Sequence, residues 1–181
     1  MTATNRNPSN PNFLQQNKFI LNFGRAPSIQ FFCQSVSVPG ISLSEVPQFT
    51  PFVDVYVPGE KAIYDILNVT FIVDEELKGW IEIHDWIRAM TFPKEFEEYQ
   101  NLGRLSRIAS ATKASSDKPQ YSDASITILS SSNKPYFKFK YYDCFPTSLS
   151  TFVMGANDSP ESTMSADVSF RYSYYDIEKL F

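Results

Sequence analysis

The sequence predicts a mainly β protein, an antiparallel β-barrel or sandwich of about seven strands with one flanking α-helix. Aromatic residues are numerous, with 16 Phe, 10 Tyr and 2 Trp in 181 residues, and aromatic side chains favour strands. The 12 prolines outnumber the 6 glycines, and proline punctuates strands more readily than it interrupts helices. Apolar residues recur at every second position in several segments, and strands and helices do not alternate regularly, so a parallel doubly wound sheet is not expected.

The first half of the chain is predicted to contain four strands. They cover residues 18–25, 29–38, 51–57 and 63–73, where apolar side chains recur with a period of two. Pro39-Gly40 ends the second strand, and Pro58 to Lys61 is predicted to be a turn. Residues 41–50 are predicted to be a connection that is too long for a tight hairpin.

The period changes after the fourth strand. Asp74 is predicted to cap a helix over residues 75–90, because the apolar residues that follow it recur at helical spacing. The apolar stripe is broad enough to pack on a sheet, and Phe92-Pro93 ends the helix.

The second half of the chain is predicted to return to strands after a long mobile loop at about residues 103–120. Ala124, Ile126 and Ile128 alternate with polar residues, and 130–134 is a turn. A strand over 136–142 is followed by a segment, 145–150, that bends away. The final strand covers 164–174. Residues 1–16 are predicted to be an extended N-terminal arm, and residues 17–181 a single domain.

Composition argues against several classes of function. The net charge of −4 makes the chain a poor candidate for wrapping nucleic acid, which needs clustered positive charge. The sequence contains no apolar run near the roughly 18 residues that a transmembrane helix needs, so no membrane partner is expected. The polar N-terminus also predicts that no secretory signal is present.

Catalytic, metal and cofactor sites are not expected. The chain has one histidine, His84, and its neighbour Asp85 should lie about 100° further round the helix, too far to orient the ring. Cys33 and Cys144 could form one disulfide, but two buried free thiols in a reducing compartment are predicted. The glycines are too widely spaced for a phosphate-binding loop. The carboxylates of Glu95, Glu97 and Glu98 leave a small hydrolase as a remote alternative.

The order of several short motifs resembles that of a known family. The set is Ser35-Val36-Ser37-Val38-Pro39-Gly40, Pro58-Gly59-Glu60, the strand Leu67–Asp74 that leads into the helix with Trp80 and Trp86, Ile126-Thr127-Ile128, and Tyr142–Leu149 before the final strand. It is similar to the tail tube protein family of contractile-tailed bacteriophages and to the core domain of their baseplate tube-initiator proteins. The likeness covers about residues 17–177.

The resemblance implies a structural virion protein rather than an enzyme. Six copies would form a ring, and stacked rings would form the tail tube, the conduit for DNA ejection. Tail sheath and baseplate proteins would be partners, DNA would pass without specific binding, and assembly would occur in the host cytoplasm. A single-ring initiator, cap or terminator of the same fold, at the baseplate or neck, is the alternative. A glycan-binding module that uses Tyr136 and Tyr142 is, like the hydrolase, a remote one.

Two segments are candidates for contacts between subunits or rings. The apolar side chains of Ile41, Leu43, Val46 and Phe49 would be exposed unless they contact another subunit or fold back on their own core. Pro58, Gly59 and Glu60 form the neighbouring candidate turn. In the N-terminal arm, Phe13 and Leu14 would order on a neighbouring subunit, or the arm would be a disordered terminus.

Overall fold

The computed structural model describes residues 12–91, 120–155 and 163–180, which contain nine strands and two helices. In chain order these are β1 (Phe19–Phe23), α1 (Pro27–Phe32), β2 (Cys33–Val36), β3 (Ile41–Phe49), β4 (Asp54–Tyr64), β5 (Leu67–Ile72), α2 (Lys78–Thr91), β6 (Ser122–Leu129), β7 (Pro135–Leu149), β8 (Ser165–Arg171) and β9 (Tyr174–Lys179). The prediction of a mainly β, antiparallel fold is confirmed.

Seven of these strands form one sheet, in the order β1-β6-β7-β8-β5-β2, with β9 also paired to β7. Strand β7 bends at Asp143, whose φ of 54° lies in the left-handed region. Before the bend β7 lies between β6 and β9, and after it β7 pairs with β8. The bend divides the sheet into two half-sheets, β1-β6-β7-β9 and β2-β5-β8-β7. The described strands do not close into a barrel.

The two half-sheets enclose one core. Phe23 on β1 and Phe170 on β8 are separated by two strands in the sheet, yet their ring centroids are 4.6 Å apart. This contact requires the sheet to fold over on itself. Trp86 on α2 packs against the same Phe170 ring, with centroids 6.2 Å apart, so the helix closes the open side of the core. The buried residues are otherwise mainly aliphatic.

Helix α2 begins at Lys78, three residues later than predicted. Asp74 does not cap it; Asp74 instead opens a turn, in which the Leu77 N–H donates to the Asp74 carbonyl at 2.9 Å and Leu77 has a φ of 55°. The predicted apolar stripe is confirmed in part, since Ile83 and Trp86 are buried. The Trp86 indole donates to the Gln120 carbonyl at 3.0 Å.

The strand predicted over 29–38 is wrong in its first half. Residues Pro27–Phe32 form helix α1, which starts with the proline that helices favour in their first turn. Only Cys33–Val36 is a strand. The run Phe31-Phe32-Cys33 suggested a continuous strand, because aromatic residues favour strands over short helices.

Three other boundaries differ from the prediction. The strand predicted over 63–73 divides, since Tyr64 ends β4 and β5 begins at Leu67. Residues 145–149 do not bend away but continue β7, because the change of direction lies at Asp143. The predicted final strand ends at Arg171, and β9 follows as a separate strand.

Most of two predicted segments lie outside the described residues. They are residues 1–11 of the N-terminal arm and all but the last residue of the predicted loop at 103–120. Glu95, Glu97 and Glu98, the carboxylates of the hydrolase alternative, also lie outside the described residues.

Helix α1 has an unusual cap. Its N-cap residue, Ala26, makes no side-chain cap hydrogen bond. Instead, Glu82 of α2 accepts hydrogen bonds from the Ser28 N–H at 3.2 Å and from the Ser28 hydroxyl at 2.7 Å. The carboxylate therefore satisfies a free donor in the first turn of α1 and ties the two helices together.

Replacing this carboxylate should destabilise the fold. We expect Glu82→Ala to lower the free energy of unfolding by about 1–3 kcal/mol, because the Ser28 donors are partly buried. Urea unfolding followed by circular dichroism measures the effect. Glu75→Ala is the matched control, since Glu75 is exposed, and should change stability by less than about 0.5 kcal/mol. Equal losses in the two variants would contradict this account.

Candidate functional site: an exposed hairpin

Strands β3 and β4 form a separate two-stranded sheet that is the most exposed part of the described structure. They pair antiparallel from Ile41 opposite Tyr64 to Phe49 opposite Asp54. At the tip, the Thr50 hydroxyl donates to the Val53 carbonyl and accepts from the Val53 N–H at 3.2 Å. Residues 41–64 therefore form one continuous hairpin, which we call the β3–β4 hairpin.

The β3–β4 hairpin exposes an unusual amount of apolar surface. Phe49 and Phe52 near its tip are 80% and 97% exposed. Ten large apolar side chains are exposed along it: Ile41, Leu43, Val46, Phe49, Phe52, Val53, Val55, Tyr56, Val57 and Ile63. Contiguous apolar surface of this kind marks a site of protein association.

A close backbone approach in the middle of the hairpin explains why residue 59 is glycine. The register shifts between Leu43 and Glu45, so that Gly59, Glu60 and Lys61 of β4 form a bulge opposite the single residue Ser44 of β3. A Cβ atom on residue 59 would lie 2.6 Å from the Ser44 carbonyl oxygen and would also overlap the Ser44 hydroxyl. Any side chain at this position would push the two strands apart.

The base of the hairpin is attached to the core by aromatic contacts. The Tyr64 ring lies 5.9 Å from that of Tyr172 and 5.4 Å from that of Tyr175. Arg171 donates to the Tyr64 carbonyl at 3.3 Å, and the Asp65 N–H donates to the Gly40 carbonyl at 3.1 Å. These contacts hold the direction in which the hairpin leaves the body of the protein.

The predicted contact residues lie together on this hairpin, but in a different local structure. Ile41, Leu43, Val46 and Phe49 are exposed and belong to strand β3, so the connection predicted over 41–50 is wrong, and these side chains do not fold back on the core. Pro58, Gly59 and Glu60 lie inside strand β4, so the predicted turn is wrong as well. Pro47 and Pro58 made these strands hard to recognise in the sequence, because a proline cannot donate a hydrogen bond to a neighbouring strand.

Sequence reasoning missed the tip of the hairpin. Phe52, Val53, Val55 and Tyr56 are exposed and extend the apolar surface. The alternation of Val53, Val55 and Val57 predicts the strand over 51–57 but not the exposure of its apolar side chains. An exposed pair of strands leaves the same sequence pattern, because alternation does not show whether a face is covered.

The other predicted contact residues, Phe13 and Leu14, lie beside the seven-stranded sheet instead of on the hairpin. Both are exposed, by 93% and 68%. They line an apolar cavity of about 480 Å³ together with residues of β6, β7 and β9, among them Phe137 and Ile177. This places the start of the described chain at the edge formed by β9 and the β6–β7 turn.

The described residues contain no group of three or more His, Cys, Asp or Glu placed to hold a metal ion. His84 and Asp85 do contact each other, with 3.2 Å between Nδ1 and Oδ1, so the expectation that Asp85 could not reach the ring is wrong. Both side chains are largely exposed and the pair has no nucleophile in its described contacts. No described helix is long and apolar enough to cross a membrane.

The two cysteines are free thiols, as predicted. Burial raises the pKa of Cys33 to about 11. Burial is also the largest cause of the raised pKa of Cys144, which is about 12. Both thiols therefore stay protonated near neutral pH, where a thiolate nucleophile would be required for catalysis.

Comparison with known proteins identifies the family to which the chain belongs. A model of the family described as phage tail tube protein matches residues 6–178. The chain belongs to the phage tail tube protein family. The resemblance inferred from the ordered motifs is thereby confirmed. A sequence relative is the tail tube terminator protein of Enterobacteria phage T4, which is 27% identical over 150 residues, covering 81% of this chain and 76% of that protein.

Solved structures share the fold at lower identity. The sheath/tube terminator of an extracellular contractile injection system, PVC, is 14% identical with a TM-score of 0.60, covering 92% of this chain and 97% of that chain. The tube-terminating cap of the anti-feeding prophage is 13% identical with a TM-score of 0.57, covering 99% of each chain. At these identities the likeness shows that the chain shares its fold with these proteins.

Proposed function

We propose that this protein is a tail tube terminator, a structural ring that ends the tail tube of a phage and has no catalytic role. The family assignment and the exposed hairpin support a protein that assembles with other subunits into a ring. The choice of an end ring is supported by the similarity to the T4 tail tube terminator over 81% of this chain. The apolar hairpin is the single observation that supports assembly most strongly.

The physical argument is that the hairpin needs a partner. An isolated two-stranded sheet is marginally stable in water, and this one has few side chains packed on the body beyond Tyr64 at its base. Each large apolar side chain that a neighbouring subunit covers contributes about 1.5–3 kcal/mol to association. The positions predicted for contact, from Ile41 to Phe49 and from Pro58 to Glu60, lie in this surface.

The proposed assembly is the one that the resemblance to the tail tube family implies. Six copies form a ring, and the β3–β4 hairpins contact either neighbours within it or the adjoining ring of the tube. Phe13 and Leu14 belong to the N-terminal arm, which contacts a neighbouring subunit. Tail sheath and baseplate proteins are the other partners, DNA passes through the ring during ejection, and no cofactor is needed. The protein acts in the phage tail after assembly in the host cytoplasm.

A repeating tube subunit is the second candidate function. The description of the matching family, phage tail tube protein, favours it. The two candidates share a fold and differ in whether rings of this protein stack on one another. A single-ring initiator at the baseplate would behave as the terminator does in isolation, but it would occupy the other end of the tube.

Electron microscopy of the concentrated protein tests the proposal. We expect single rings that do not stack, and rings seated at one end when preformed tail tubes of the same phage are added. Long hollow tubes formed by this protein alone would overturn the terminator role in favour of the tube subunit. Monomers that neither form rings nor attach to tubes would overturn both.

The tip phenylalanines give a sharper test of the assembly surface. We expect the double variant Phe49→Ser, Phe52→Ser to weaken association with other subunits or tubes about tenfold or more, because two large apolar contacts are lost. Phe31→Ser is the matched control, since Phe31 is 87% exposed but lies on helix α1. Sedimentation velocity measures association. Similar weakening in the two variants would contradict a specific role for the hairpin.

A further inference from the structure

Four tyrosines surround the point where the β3–β4 hairpin joins the body of the protein. We call them the tyrosine cluster: Tyr64 at the end of β4, Tyr141 before the bend of β7, Tyr172 between β8 and β9, and Tyr175 in β9. Five pairs of these rings have centroids between 5.0 and 6.1 Å apart. The cluster therefore connects the hairpin with both half-sheets.

Two hydroxyls of the tyrosine cluster are buried without a partner. Those of Tyr141 and Tyr172 make no hydrogen bond within the part of the chain that the structure describes. A buried hydroxyl that has lost its hydrogen bonds to water destabilises the folded state, and native proteins contain few such groups. Burial is the largest cause that raises the pKa of Tyr172 to about 12. Phenylalanine would fill the same space without this cost, so a tyrosine at this position requires another explanation.

An acceptor for the Tyr172 hydroxyl lies at the attachment of the hairpin. Asp65 directly follows Tyr64, whose ring centroid is 5.9 Å from that of Tyr172. Asp65 Oδ2 would lie 2.9 Å from a Cβ atom on residue 40, so the carboxylate lies against the backbone where the hairpin begins. Its charge is a further cause, after burial and Tyr175, of the raised pKa of Tyr172. The two groups are therefore neighbours that are not hydrogen-bonded to each other in the free subunit.

The hairpin can turn at this point without disrupting a sheet. Among the described strands, β3 and β4 pair with each other alone, so no ladder of hydrogen bonds joins them to the seven-stranded sheet. Gly40 precedes β3, and Asp65 and Ile66 lie between β4 and β5. We call these three residues the hinge, because rigid elements turn on a few residues at their ends.

We infer that the Tyr172 hydroxyl holds the hairpin in the direction that it takes in the ring: when a neighbouring subunit binds the hairpin, the hinge turns and the hydroxyl donates to the Asp65 carboxylate. The inference rests on the proposed ring assembly and adds to it the residues that position the hairpin. A hydrogen bond to a charged acceptor is one of the stronger kinds in proteins. Because this bond forms only in the assembled state, it favours that state over the free subunit.

Tyr172→Phe tests the inference through two effects of opposite sign. Removing the unpartnered hydroxyl should raise the urea midpoint of the dissociated subunit. The same substitution should weaken ring formation about tenfold or more, because the ring loses the hydrogen bond to Asp65. Urea unfolding at a concentration below that of association measures the first effect, and sedimentation velocity of the assembling protein measures the second.

Tyr141→Phe is the matched control. The Tyr141 hydroxyl is buried and unpartnered in the same way, but the described contacts of its ring are with Tyr172 and Tyr175 in the body of the protein. We expect this variant to raise the urea midpoint and to leave ring formation unchanged. Ring formation by Tyr172→Phe that equals that of the control would overturn the inference. A lowered urea midpoint in Tyr172→Phe would also overturn it, because the hydroxyl would then already be bonded in the free subunit.

A double-mutant cycle identifies the acceptor. Asp65→Ala alone should weaken ring formation about as much as Tyr172→Phe does, and the double variant should be no weaker than either single variant. Additive losses would show that Tyr172 does not act through Asp65 and would overturn the inference while the proposed ring stands. Failure of the unsubstituted protein to form rings would overturn the proposed function and the inference with it.

Discussion

Gly59→Ala is expected to disorder the β3–β4 hairpin and abolish association with other subunits, while the body of the protein stays folded. The added Cβ would lie 2.6 Å from the Ser44 carbonyl oxygen, and a backbone atom cannot move aside as a side-chain tip can. Relieving such a contact costs about 1–3 kcal/mol, which a hairpin of marginal stability does not have in reserve.

Trypsin digestion followed by mass spectrometry measures this effect directly. Lys61 lies in strand β4, two residues from the substitution, and a disordered hairpin exposes its peptide bond to the protease. We expect a new cut after Lys61 in Gly59→Ala, together with the loss of rings in electron micrographs. The near-ultraviolet circular dichroism of the core aromatic residues should be retained.

Gly24→Ala is the matched control for this substitution. A Cβ on residue 24 would meet its nearest neighbour, the Ser122 hydroxyl, at 3.6 Å, which is an ordinary van der Waals contact. The control should form rings and resist cutting at Lys61 as the unsubstituted protein does. A Gly59→Ala protein that assembles normally would contradict the view that the close approach of Gly59 to Ser44 shapes the assembly surface.

Phe170→Ala is expected to cause the largest loss of global stability. The Phe170 ring is fully buried and packs against Phe23 of the other half-sheet and against Trp86 of α2. Truncating it leaves a cavity where the three layers meet, and substitutions of this kind cost about 3–5 kcal/mol. Because small domains are stable by about 5–15 kcal/mol, this is a large fraction of the total.

Chemical unfolding at a protein concentration below that of association measures this loss without a contribution from the ring. Phe31→Ala is the control, because Phe31 is exposed on α1, and it should change the free energy of unfolding by about 0.5 kcal/mol or less. A loss below about 1 kcal/mol in Phe170→Ala would contradict the shared core of the two half-sheets.

Strands with one buried face were predictable from the sequence. Val69 and Phe71 in β5, and Val168 and Phe170 in β8, alternate with polar residues because one side faces the core and the other side does not. In these two strands the alternation follows from the burial of one face.

Features that depend on contacts between distant parts of the chain were not predictable. Strand β3 has exposed residues on both faces, and its alternation of apolar and polar residues breaks at Glu45, so it was not recognised as a strand like β5 and β8. The bend of β7 arises from the left-handed conformation of Asp143, which the sequence does not distinguish from an ordinary strand position. Helix α1 is stabilised by Glu82, which is 54 residues away from Ser28.

The candidate site was predictable in its residues but not in its form. Ile41, Leu43, Val46 and Phe49 were identified because exposed apolar side chains need a partner. That they lie on a projecting hairpin, with Val46 opposite Val57 and Phe49 opposite Asp54, follows from the cross-strand pairing of β3 and β4. This pairing depends on a bulge in β4 opposite Ser44 and on the absence of a side chain at residue 59, and neither is visible in a period-two pattern.

The central claim is that this protein forms a single ring at the end of the tail tube. Cryo-electron microscopy of the intact phage tail, with the path of this chain and its β3–β4 hairpin traced in the map, tests that claim most directly. The account predicts one ring of this chain at the head-proximal end, with its hairpins covered by neighbouring subunits or by the adjoining tube ring. The same chain repeated in every ring along the tube would contradict the terminator role.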